Sequence, residues 1–178
     1  NIDLVIGGPP CQGFSNANRQ KNHAISQNNM LVKRYIQAVI ELQPKAFVME
    51  NVPNILTIGG GAIRDAIIAD FSALGYTVEY KVLLASDYGV PQNRKRAFFV
   101  GLLGSSKFEF PIPNIGQRIT SFDALSDLPE ESLNPGAAYP CSPQSDFQKY
   151  IRRGCNGVFN HEITVHNDRT KEIIAMVP

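Results

Sequence analysis

A cysteine reached through two glycines and two prolines, Gly7-Gly8-Pro9-Pro10-Cys11, sits on a backbone with little freedom left. The prolines fix φ and push the residue before each of them into extended geometry. A thiol held that way is a candidate nucleophile. A small apolar cysteine in an ordinary strand–loop turn fits the same residues. Two further groups carry chemistry of a matching kind: the carboxyl of Glu50, and the guanidiniums of Arg94 and Arg96 in Gln92-Asn-Arg-Lys-Arg96. A thiolate adds to electron-poor carbon, and a neighbouring cation lowers the thiol pKa from its free value of about 8.5. A buried carboxyl group of raised pKa keeps its proton and can donate it to a ring nitrogen. Arginine holds a carbonyl oxygen or a phosphate. Together these match addition of sulfur to carbon 6 of a pyrimidine. That addition turns carbon 5 of cytosine from a poor nucleophile into an enamine-like one that can attack a methyl donor.

The elements that must position these groups follow from hydropathy. Leu4-Val-Ile6 reads as a buried strand that leaves its sheet at Gly7-Gly8. Residues 13–29 are polar with no apolar period, a loop long enough to suspect a functional lid. Apolar residues at 31, 32, 35, 36, 39, 40 and 42 follow a helical stripe that ends before Pro44. Ala46–Met49 is a second strand running into Glu50-Asn51-Val52-Pro53. After Gly59-Gly-Gly61, a helix spans Ala62–Leu74 and stops at Gly75. Tyr76–Ala85 and Arg96–Leu103 are two more strands, joined by the turn-rich residues 86–95. From about residue 104 the texture changes to frequent Pro and Gly. Short helices are expected at Ser121–Leu128, with Ser at the N-cap, and at Asp168–Val177.

The order strand–helix–strand–helix–strand–loop–strand implies parallel βαβ units closed by a hairpin, an α/β fold. Cys11 and Glu50 then share the carboxyl rim of neighbouring parallel strands, where open α/β sheets bind ligands. If the third strand runs with the first two, the fourth descends from that rim, and Gln92, Arg94 and Arg96 start there. Taken singly, a Glu at a strand end is usually a helix cap or a surface charge, and Arg-Lys-Arg a solvated turn. Convergence makes coincidence less attractive.

At this point the residues resemble a family, the bacterial DNA cytosine-5 methyltransferases. Three blocks match in order: Gly8-Pro-Pro-Cys-Gln-Gly-Phe-Ser15, Glu50-Asn51-Val52, and Gln92-Asn-Arg-Lys-Arg96 before a hydrophobic strand. Asn160-His161, followed by a helix that ends in Met176-Val-Pro178, is similar to the segment before the family's target-recognition domain. The resemblance covers most of the chain and is weakest between 104 and 158.

The resemblance implies the second half of a Rossmann-like, S-adenosylmethionine-dependent methyltransferase sheet, parallel strands plus one antiparallel hairpin strand. Residues 1–104 would be a partial catalytic core, and 105–178 a peripheral segment leading toward the recognition domain. Cys11 becomes the nucleophile, Glu50 the contact to ring nitrogen 3, and Arg96 the contact to the carbonyl oxygen of a flipped-out cytosine. Arg94 would hold the rim and a nearby phosphate. Gln12 and Ser15 would begin the loop that closes over double-stranded DNA. Asn51 and Gln92 would be structural, Asn51 bracing the turn. Pro10 and Leu31 would border S-adenosylmethionine. Flipping the base costs a few kcal/mol that other contacts must offset. Asn18, Arg19 and Lys21 are candidate contacts to the DNA backbone, positioning without specifying sequence. The family also implies a bacterial cytoplasmic setting; whether a cognate restriction endonuclease accompanies the methylase stays open, and no direct contact with one is implied.

Departures from the family pattern concern what surrounds these blocks. The glycine-rich S-adenosylmethionine loop and the acidic residue that binds its ribose, expected before the cysteine block, are not in the sequence. Ser26-Gln-Asn-Asn-Met30 lacks the Asp and Arg often found there. The chain also opens almost directly on a strand. It therefore reads as the catalytic-rim half of a methyltransferase, expected to bind cofactor poorly and not to turn over alone.

Composition sets the outer bounds. With 178 residues, 43% hydrophobic and 19% charged, the chain suits one globular domain with a sizeable core. A net charge of +1 neither demands nor excludes nucleic acid. No apolar run approaches the about 18 residues of a membrane span. No leader pattern is seen, and three irregularly spaced cysteines favour a reducing cytosol. Cys141, Cys155, His161 and His166 lack the CxxC spacing of a zinc knuckle, and His161 reads better as a structural hydrogen-bonding residue. A thiol hydrolase would need a histidine base from His23, His161 or His166, none of them in a recognisable setting, and leaves Glu50 and Arg96 without a role. A catalytically dead relative and an RNA cytosine methyltransferase remain open; Gln-Gly-Phe-Ser after the cysteine looks more like the DNA enzymes.

Overall fold

The structure is a computed structural model that describes residues 2–10, 30–114, 116 and 118–177. It divides into two compact units, Asn1–Gly116 and Gln117–Pro178. In the first, β1 (Leu4–Gly7), α1 (Met30–Leu42), β2 (Ala46–Asn51), α2 (Ala62–Ala73), β3 (Tyr76–Leu84) and β4 (Lys95–Leu103) follow in chain order. The strands form one mixed sheet in the order β1-β2-β4-β3, with β1 and β2 parallel and β4 antiparallel to both its neighbours. Three strands therefore run one way, and β4 returns between β2 and β3.

Both crossovers step the same way across the sheet. A right-handed connection then puts α1 and α2 on the same face. That face carries the core: Phe47 stacks on Phe71 of α2 at 3.9 Å between ring centroids, and Tyr35 of α1 and Tyr76 meet Phe47 edge-on. The Tyr35 hydroxyl is shared between the carbonyls of Val48 at 2.9 Å and Val5 at 3.2 Å, pinning α1 across β1 and β2. Burial above all, with Tyr76 nearby, pushes its phenol above the usual range. Gly101 of β4 is required by contact: a Cβ there would lie 2.0 Å from the ring of Phe47. Because Phe71 backs that ring, it cannot retreat. Gly101→Ala should cost about 1–3 kcal/mol, read as a lower urea midpoint with an unchanged slope.

One expectation is corrected. Leu4-Val-Ile6 forms a strand but not a buried one; Leu4 is 46% and Ile6 71% exposed. Among the described residues β1 has a neighbour on one side only, and its Leu4 and Ile6 face is the one the helices do not cover. Between β2 and α2 come two 3-10 turns, Pro53–Leu56 and Ile58–Gly61. Gly59, Gly60 and Gly61 take φ of 61°, 68° and 98° in succession, a path that other residues resist. Among the described residues no helix is long and apolar enough to cross a membrane.

The second unit holds α3 (Ser121–Leu125), α4 (Asp146–Ile151) and α5 (Asp168–Ala175). Thr120, not Ser121, caps α3: its hydroxyl accepts from the Asp123 amide at 3.1 Å, and the Asp123 carboxylate accepts from the Thr120 amide at 2.8 Å. Helix α4 falls where the sequence suggests no element, although Ser145-x-x-Gln148 carries a capping signal. Gln148 is fully buried, accepting from the Gln144 amide and donating to Ser126 Oγ at 2.9 Å. Asp127 and Arg152 form a buried ion pair, with Arg152 lying over the Tyr139 ring at 3.6 Å. His161 Nε2 lies 2.9 Å from the Pro129 carbonyl oxygen.

The Thr120 cap gives a pH expectation. Hydrogen bonds from the Thr120 hydroxyl, then from its amide, hold the Asp123 carboxyl below its usual range. Such a group adds stability that is in place above the unfolded pKa of about 4. That stability disappears as pH falls through the lower folded value. Thr120→Ala should therefore weaken the acid dependence of stability below about pH 4, measured by urea melts of the chain at stepped pH. An unchanged acid limb would show that the cap does not govern this carboxyl in solution.

Candidate active site

The carboxyl rim of β1 and β2 is closed by side chains of the second strand. Asn51, buried at the end of β2, donates through Nδ2 to the Pro9 carbonyl at 3.0 Å and accepts from the Val52 amide at 2.9 Å. One amide group thus joins the exit of β1 to the exit of β2, and the chain it fixes leads through Pro10 to Cys11. Gly8 lies under Glu50: a Cβ added there would stand 3.1 Å from Glu50 Oε2.

Register brings the other groups together. Glu50 pairs with Phe98 across β2 and β4, and Leu83 pairs with Arg96 across β3 and β4. Directly paired residues share a face, and alternation puts Arg96 on the same side as Phe98. All four therefore project from the face opposite the helices. Arg96 Nε makes an ion pair with Glu50 Oε1 at 2.7 Å, and Arg96 Nη1 donates to the Lys95 carbonyl at 2.8 Å. The Glu50 side chain is 35% exposed and paired with Arg96, not the buried carboxyl that the sequence suggests.

Around this pair lies a cavity of about 420 Å³, lined by Glu50, Arg94, Arg96 and five apolar or aromatic residues: Leu83, Ala85, Tyr88, Phe98 and Pro111. Apolar walls lower the local dielectric and strengthen the pair. Arg94 is exposed and, among the described residues, forms no ion pair. The turn that delivers it is bent by its own main chain, with Gln92 donating to the Val90 carbonyl at 2.7 Å and accepting from the Arg94 amide at 2.9 Å. A planar polar ring entering here meets a carboxyl and a guanidinium at one end and hydrocarbon on its flanks.

Comparison with known proteins decides the family. A family model described as C-5 cytosine-specific DNA methylase matches residues 1–173. The chain belongs to that family. Type II methyltransferase M.DdeI of Desulfomicrobium norvegicum is 37% identical over 99% of this chain and 45% of its own length. M1.HphI of Haemophilus parahaemolyticus is 43% identical over 76% of this chain and 36% of its own. A solved chain described as a prophage-encoded DNA modification methyltransferase of E. coli is 28% identical with a TM-score of 0.69, covering 96% of this chain and 54% of that one. The Spodoptera frugiperda DNMT2 structure, 18% identical at a TM-score of 0.50 over 74% of this chain and 40% of that one, agrees in fold alone. This C-5 methylase chain spans less than half the length of the curated relatives named here.

Of the residues singled out in the sequence, the structure brings Glu50, Arg94 and Arg96 to one cavity and joins Asn51 to the turn before the cysteine. Pro10 and Leu31 are both exposed, Leu31 in the first turn of α1. Cys11, Gln12 and Ser15 lie outside the described residues, as do Asn18, Arg19, Lys21 and His23. Sequence reasoning missed the cavity walls Leu83, Tyr88, Phe98 and Pro111. Their signal is register, since Phe98 and Leu83 sit opposite the two residues that the motifs already mark.

Proposed function

We propose that this chain supplies the catalytic rim of a DNA cytosine-5 methyltransferase. The observation that carries the reading is the Glu50–Arg96 ion pair at the head of an apolar cavity, beside a turn that Asn51 ties to Pro9. The Cys11 thiolate adds to carbon 6 of a flipped-out cytosine. Glu50 takes up a proton from solvent and places it on ring nitrogen 3, and Arg96 holds the carbonyl oxygen through a remaining N–H. S-adenosylmethionine, when bound, supplies the methyl group as an electrophile for carbon 5. Solvent then takes the carbon-5 proton, the electron pair left behind expels Cys11 as thiolate, and nitrogen 3 returns its proton to Glu50. Arg94, exposed at the rim, takes a DNA phosphate, and Gln12 and Ser15 begin the loop that closes over the duplex.

For the cofactor, the described residues offer a border and not an enclosure: Pro10 and Leu31, both exposed apolar surface near the β1 rim. This chain spans 45% of the length of M.DdeI. Residues 1–104 act as the catalytic core in this reading, with Pro111 of the following chain completing its cavity, and the rest of 105–178 leads toward target recognition. The setting is the bacterial cytoplasm, and the Type II names of the relatives suggest a cognate restriction endonuclease without implying contact.

The test is transfer of labelled methyl from S-adenosylmethionine to mixed-sequence duplex DNA by the full-length protein that carries this chain, with the product base identified by mass spectrometry. The expected product is 5-methylcytosine. A protein that is folded and bound to DNA but yields none overturns the reading.

A further inference from the structure

Tyr88 and Pro111 close the cavity together with Glu50 and Arg96 yet come from segments outside the three motif blocks. Tyr88 ends the 3-10 turn Ala85–Tyr88, and Pro111 lies in irregular chain after β4. Ala85 and Tyr88, three residues apart, share one face of that turn, and both line the cavity. The turn holds the irregular chain at two points. The Tyr88 hydroxyl donates to the Pro111 carbonyl at 3.1 Å, and the Asn114 amide donates to the Asp87 carbonyl at 2.8 Å. Nearby, Lys81 Nζ lies 6.0 Å from the Phe110 ring centroid, and Phe108 meets Phe110 edge-on at 5.1 Å. Ile112, between the two ties, is exposed, so the segment forms a surface strap.

We propose that Tyr88 is a positioning residue: through Pro111 it holds this strap over the cavity and fixes a wall that the incoming base meets. This rests on the cytosine reading of the same cavity. A segment without strand pairing is placed by its few ties, and its local opening is correspondingly easy. With the wall preformed, the base is held in a reactive orientation without ordering the strap first. With the wall loose, the flipped-out base samples unreactive orientations and reacts more slowly, while the DNA stays bound.

The experiment uses the full-length protein and duplex DNA containing 5-fluorocytosine, which traps the Cys11 adduct. Tyr88→Phe removes one tie and keeps the ring; Asn114→Pro removes the other. Three quantities are read: the rate of adduct formation at saturating DNA, the Kd for DNA, and hydrogen exchange of the amides of Phe108, Glu109, Phe110, Ile112 and, where present, Asn114. Each variant should slow adduct formation by about two- to tenfold, the range a single hydrogen bond commands, with Kd unchanged. Tyr88→Phe should also speed exchange across the strap. Faster exchange with an unchanged adduct rate overturns the positioning role, as does a parallel loss of rate and DNA affinity. A parent that forms no adduct defeats the cytosine reading itself, and the positioning role with it, before any variant is made.

Discussion

Replacing Cys11 by serine in the full-length protein should abolish methyl transfer and the covalent adduct while leaving DNA binding in place. The two side chains differ by one atom, so shape and most contacts persist. What changes is the nucleophile: a thiol yields a usable thiolate near neutral pH, and a hydroxyl does not. The loss should be about a thousandfold or more, the scale on which removal of a covalent nucleophile acts. Cys11 itself lies outside the described residues, so the expectation rests on the chain leading to it: Pro9 tied to Asn51, then Pro10. The measurement is a denaturation-resistant crosslink to 5-fluorocytosine DNA with S-adenosylmethionine present, since fluorine at carbon 5 blocks the final elimination. The chain alone, the full-length protein and its Cys11→Ser variant are compared. An adduct from the full-length protein only, lost in the variant, assigns the nucleophile and shows that the rest of the relatives' length is needed. An adduct that survives the substitution sinks the assignment. No adduct from any sample, with folding and DNA binding intact, points to a catalytically dead relative.

How far the sequence reaches depends on which force sets each feature. The helices over 30–42 and 62–73 and the four strands were readable because their apolar periods follow directly from which face is buried. The shared rim of Glu50 and Arg96 was readable because a helical crossover returns the next strand parallel to the one before it, and a hairpin then reverses it. Strand order was not. A hairpin makes β3 and β4 neighbours but does not say that β4 also pairs with β2, and only that pairing sets Phe98 opposite Glu50. Exposure of β1 was unreadable for a similar reason. Leu4-Val-Ile6 states that a strand forms, and its neighbours decide how much of it is covered. Glu50 shows the same limit at one residue. Its place was legible, but its pairing with Arg96 at 2.7 Å is a geometric fact that no spacing contains.

That pairing shapes the second large effect, expected for Glu50→Gln. Glutamine keeps the length and planarity of the side chain and can still accept from Arg96 Nε, so the rim should stay assembled. It cannot deliver a proton to ring nitrogen 3. If proton delivery is what Glu50 does, the rate of methyl transfer should fall by about a hundred- to a thousandfold, within the range for a positioned general acid, while the Kd for DNA changes by much less. The ion pair makes the contrast sharp, because Glu50 has an evident structural alternative in holding Arg96. Were that its whole role, glutamine would preserve most of it, and any damage would appear in rate and affinity alike. Arg96→Lys supplies the complementary test. Lysine keeps the charge but lacks the fork that reaches Glu50 Oε1 and the Lys95 carbonyl together. Slow chemistry in both variants with DNA affinity retained would place the two groups on the reacting ring. Equal losses of rate and affinity in Glu50→Gln would reduce Glu50 to a brace for the guanidinium and leave the source of the proton to be found elsewhere.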